Sequence, residues 1–92
     1  MTCKIERLVS SEDTVVLRVC GRIQVEHLNT IEELIERESR TIVLDLEEVM
    51  LVDREAVNLL ALCELKGITL TNCPAFLREW VTEEQRRMAA EL

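Results

Sequence analysis

The sequence predicts a single α/β domain, and three observations carry that prediction. Two β-branched apolar runs, "TVVLRVCG" (14–21) and "TIVLDL" (41–46), read as buried strands. From Val25 to Ser39, and again from Asp53 to Leu65, the pattern changes to that of helices. With the shorter segments between them, these give the order β-β-α-β-α-β-α, which implies an α/β layer with right-handed crossovers.

Each element follows from its own residues. "CKIERLV" (3–9) is a short strand with Ile5 and Leu8 expected inward, and "SSED" supplies a polar turn. The strand that starts at Thr14 is expected to end at Gly21. In 25–39, Leu28, Ile31, Leu34 and Ile35 share one face, while Glu32, Glu33, Glu36 and Arg37 fill the other. Glu33 and Arg37 form a favourable i,i+4 pair. His27 is assigned no role, because a lone His beside acids is usually a solvated surface residue.

"EEVMLV" (47–52) reads as a connection, with Val49 and Leu51 tucked inward. "DREAVNLLALCEL" (53–65) is a helix apolar almost all round, and Gly67 terminates it. "ITLTN" (68–72) is a last short strand, and Pro74 stands where helices begin. In the helix that follows, Phe76, Leu77, Trp80 and Val81 are spaced to face inward. The segment 83–92 reads as a polar, loosely held helical tail on a core of about 4–82, all within one domain, 1–92.

Composition excludes several function classes. With 48% hydrophobic and 32% charged residues, the chain has the profile of a compact fold, not a disordered one. Aromatics are only 2%, so the core must be aliphatic. A net charge of −7 with no basic stripe argues against binding nucleic acid. The charged N-terminal stretch and the lack of a long apolar run predict a cytoplasmic protein without membrane insertion. The cysteines, at 3, 20, 63 and 73, have no CxxC spacing, and the single His completes no zinc quartet of familiar spacing. No metal or cofactor is expected, and the thiols are expected reduced. The only two glycines, Gly21 and Gly67, are too far apart for a phosphate loop, and no nucleophile has a local catalytic signature. The chain is not expected to be an enzyme.

"VVLRVCGRI", an amphipathic helix, then "TIVLDLEEVMLVD" leading into an apolar helix, resembles the STAS domain family, which includes the bacterial anti-sigma factor antagonists. The likeness spans residues 13 to about 82. It implies a four-stranded mixed sheet packed by helices, acting in protein–protein interaction. In the phosphorylatable antagonists the strand–helix junction reads Asp, then Ser-Ser or Ser-Thr, then Gly, and a partner kinase modifies a serine there. Asp53 matches that Asp, but Arg54 and Glu55 occupy the hydroxyl positions and Ala56 replaces the Gly. Gln24 stands where the antagonists commonly carry an Asp. The resemblance therefore implies a non-phosphorylatable module.

Asp53 is expected to cap the helix, a contribution of ~1 kcal/mol. At 100° per residue, Arg54, Glu55, Asn58, Leu62 and Leu65 lie on one side of the helix, with Ala56, Leu60 and Cys63 inward. A stripe mixing Leu with Arg and Asn suits a partner surface. The expected contact site is Glu47, Glu48, Asp53, Arg54, Glu55, Asn58 and Leu62. Two partner classes stay open: an anti-sigma factor or other signalling protein in transcription regulation, and the ATPase of an ABC-type lipid transport complex that this chain would serve as accessory subunit. Self-association through an edge strand or the Trp80 helix is open as well.

Overall fold

The computed structural model of the chain describes residues 3–91; Met1, Thr2 and Leu92, which fall within the expected domain, lie outside them. The sheet is built on its longest strand, β2 (Thr14–Ile23). Along it Val15, Leu17, Val19 and Ile23 are buried, while Val16, Arg18 and Cys20 between them are half-buried. This alternation shows that one sheet face carries the core and the other is open. β1 (Cys3–Val9) pairs antiparallel with β2, and β3 (Thr41–Asp45) pairs parallel to it with Leu17 opposite Leu44.

The expected α/β class holds, but among the described residues the sheet has five strands, not four. β2 does not end at Gly21; it runs on to Ile23. Residues 49–52, expected to be part of a connection, form β4 (Val49–Val52), parallel to the end of β2 on the edge that β3 also uses. A tight turn closed by Val49 N–H to Leu46 C=O lets the chain leave β3 and rejoin β2. Gly21, at φ +89°, gives its N–H to the Glu48 carbonyl, a left-handed conformation that favours glycine. Beyond it the register shifts, so that Met50 is the extra residue of a bulge. The bulge has a consequence: Leu51, expected inward, is 52% exposed, whereas Val49 is buried.

Three α-helices follow the expected pattern in outline. The first begins as a 3-10 turn (Val25–His27), in which His27 Nδ1 accepts from the Gln24 N–H at 3.1 Å, and continues as α1 (Leu28–Arg37). Glu33 and Arg37 pair at 3.5 Å as expected. α2 (Arg54–Leu65) presents Ala56, Val57, Leu60, Ala61 and Cys63 to the core, and Gly67 at φ +102° turns the chain out of it. β5 (Thr69–Thr71) pairs parallel with β3. The buried residues of all three helices join the inward residues of β2 and β3 in one cluster.

α3 (Ala75–Ala90) departs from expectation in the face it buries. Leu77 and Val81 are fully buried, but Phe76 and Trp80 are 40% and 52% exposed. The two pairs are i,i+4 stripes one residue apart, rotated by about 100° on the helix, so both cannot face the sheet. Phe76 and Trp80 pack on each other instead, edge to face, with ring centroids 6.0 Å apart. The expected tail, 83–92, is helical as far as Ala90, with Leu92 outside the described residues. Met88 packs against the core, and Gln85 donates to Glu64 at 2.8 Å. Leu8 on β1, also expected inward, is exposed, since it pairs with Val16 on the open face, whereas Ile5 reaches the core.

Candidate functional site

The start of α2 is fixed by Asp53. Its backbone is extended, and its Oδ1 accepts the Ala56 N–H at 3.1 Å, as a helix cap should. Its second oxygen accepts the Val25 N–H at 2.8 Å, and its own N–H donates to the Ile23 carbonyl. One residue thus joins two helix starts through its carboxylate and the end of β2 through its backbone N–H. Both oxygens are engaged in holding the fold.

Downstream of this clamp, the structure brings Arg54, Glu55, Asn58 and Leu62 together along an open groove of about 360 Å³. Leu28 and Glu32 of α1 form one wall, and Glu84 and Arg87 of α3 form the other. Asn58 donates to Glu84 at 2.9 Å, which fixes one rim to α3. Arg54 is exposed and has no ion pair among the described residues. It also borders a second cleft of about 410 Å³, where Val52, Val57 and Trp80 supply apolar surface. A cation in the first turn opposes the helix dipole, so Arg54 is placed against local stability. Leu65, on the same side, is exposed.

Glu47 and Glu48 are not part of this groove. They are exposed in the turn before β4, and the four residues of that strand, about 13 Å long at 3.3 Å per residue, separate them from Asp53. Sequence spacing put them near the site, but the extended β4 carries them away. The walls from α1 and α3 were invisible to that reasoning, because helical periodicity says nothing about which helices become neighbours.

A second polar centre lies at the end of β3. Asp45 is buried, and its carboxylate accepts from the Glu47 N–H at 3.1 Å, Asn72 at 3.3 Å and Arg18 at 3.4 Å. Burial alone pushes its pKa up, but these three bonds outweigh burial and hold it below the usual carboxylate range. On the helix side, Glu64 and Arg78 form a two-pronged pair at 2.6 and 2.9 Å between α2 and α3. Hydrogen bonding from Arg78 lowers the Glu64 pKa more than burial raises it. The Asp45 carboxylate is engaged within the fold, whereas the Arg78 Nε is buried without a hydrogen-bond partner among the described residues. Among the described residues no group of His, Cys, Asp and Glu is placed to hold a metal ion, and all four cysteines are free.

Comparison with solved structures places this architecture. The anti-sigma factor antagonist SpoIIAA, in its unphosphorylated form, superposes with a TM-score of 0.62 at 22% identity, over 83% of this chain and 79% of that one. The fold is SpoIIAA-like. A protein of the DUF3478 family from Shewanella loihica PV-4, described as having a SpoIIAA-like fold, superposes with a TM-score of 0.54 at 17% identity, over 94% of this chain and 79% of that one. No family model matches the chain, and no curated protein matches it significantly in sequence. The SpoIIAA-like fold agrees with the STAS resemblance of the strand–helix junction. Among the described residues no helix is long and apolar enough to cross a membrane.

Proposed function

We propose that this chain is a non-catalytic, cytoplasmic interaction module that regulates a partner protein by direct binding, in the manner of an anti-sigma factor antagonist. Docking centres on the groove lined by Arg54, Glu55, Asn58 and Leu62. The observation that carries the proposal is the use of the α2 N-terminus. Asp53 is engaged on both oxygens as a structural clamp, and the first turn after it exposes a charged pair, Arg54 and Glu55, in place of a hydroxyl. No residue of that turn can be phosphorylated, so the charge pattern there is fixed. An exposed Arg54 set against the helix dipole is a local cost that a partner carboxylate offsets on docking. Glu47 and Glu48 stand at most at the rim of this contact.

Affinity capture from the native host, with wild type and Arg54→Glu compared side by side, tests the reading. A sigma-factor regulator captured by wild type and lost by the variant supports it. Equal capture by both proteins removes the site assignment. A transport ATPase captured through the same groove would replace signalling with the accessory-subunit role.

A further inference from the structure

We infer that the outward face of α3 is a self-association surface, on which a second copy of this chain docks antiparallel about a two-fold axis. The inference rests on different observations from those behind the partner groove, although the two surfaces share Arg87. It begins with the chain's only two aromatic residues, Phe76 and Trp80, which lie on α3, outside the core and packed edge to face on one another. With no aromatic residue in the core, the surface that most resembles an interface centre is here.

Charge selects the occupant. The chain carries a net −7, so most faces repel their own copies. Among the α-helices, α3 is the exception: it holds three Glu (79, 83, 84) and three Arg (78, 86, 87) and is neutral overall, whereas α1 and α2 are net acidic. Its exposed charges are also segregated along the helix. Glu79 and Glu83 precede Arg86 and Arg87, and all four are exposed. Such a helix is complementary to itself in the antiparallel sense alone; parallel pairing would set like charges together.

A two-fold axis level with Glu83 places Glu79 of one protomer opposite Arg87 of the other, and sets the two Glu83 carboxylates together, a like-charge contact offset by the Arg86 of each helix, 3.4 Å from its own Glu83. It places Trp80 over the other protomer's Arg86, a stacking that guanidinium groups favour. Phe76 then meets the small Ala90. The stripe Phe76, Glu79 or Trp80, Glu83, Arg86 or Arg87, Ala90 has the three- and four-residue spacing of a helix–helix seam. The existing contacts of Arg86 with Glu83 and of Arg87 with Glu84, at 3.4 and 3.6 Å, are pairs within one helix with an exposed arginine, and these exchange partners readily.

Sedimentation velocity on the intact chain, from micromolar to submillimolar concentration, tests this. Wild type should show a concentration-dependent monomer–dimer equilibrium. Trp80→Ser and Glu79→Arg should each weaken it by at least about tenfold with unchanged circular dichroism, because symmetry counts every contact twice. The charge swap Glu79→Arg with Arg87→Glu should restore association relative to Glu79→Arg alone. A wild type that stays monomeric throughout, or a dimer indifferent to both single variants, overturns the inference.

Discussion

Asp53 and Val25, 28 residues apart, are joined by a 2.8 Å hydrogen bond from the Val25 N–H to the Asp53 carboxylate. The same carboxylate caps α2 through Ala56 at 3.1 Å. Asp53→Ala should therefore lose a cap and a charge-assisted bond together, about 2–3 kcal/mol. Asp53→Asn should lose about half as much, because its one carbonyl oxygen can keep the cap but not both contacts. Urea unfolding midpoints check both values.

Arg54→Glu should leave the fold intact and raise its stability by about 0.3–1 kcal/mol, since a negative charge suits the first turn of a helix. A residue whose reversal stabilises the chain while abolishing partner capture serves binding, not folding. Thermal unfolding beside the capture assay separates the two effects.

Acid should destabilise the fold through Asp45 and Glu64, both held below the usual carboxylate range. Between the folded and unfolded pKa values the unfolded chain binds more protons. Their contribution is thus complete above the unfolded value and fades as pH falls through the lower, folded one. Stability measured across acid pH should fall steeply for wild type and less steeply for Asp45→Asn.

Gly67→Ala should cost about 1 kcal/mol from backbone strain alone. Gly67 sits at φ +102° with nothing within 4 Å of an added methyl group, so no steric clash adds to the loss. A larger loss in denaturant unfolding would contradict this local account.

Much of this architecture is written in local patterns. β2, β3 and the inward residues Ala56, Leu60 and Cys63 of α2 follow from apolar periodicity, and Asp53 as a cap follows from helix-start chemistry. β4 is not legible because its four residues are all apolar and too few to show a period, and only their pairing with β2 marks them as a strand. Phe76 and Trp80 were misplaced because α3 carries two adjacent apolar stripes, and its landing on the sheet decides which one is buried. Along α2 the groove was legible as Arg54, Asn58 and Leu62 at helical spacing. Its other walls, Glu32 and Arg87, belong to helices that only tertiary packing brings near. Asp45 was missed for the same reason, since Arg18 and Asn72 each lie 27 residues away in sequence.

The most direct test of the central claim is calorimetric titration of the isolated partner against wild type, Arg54→Glu and Leu62→Asp. The groove assignment predicts that each variant binds at least about tenfold more weakly, roughly 1.4 kcal/mol, while remaining folded. Undiminished affinity in both variants would contradict it.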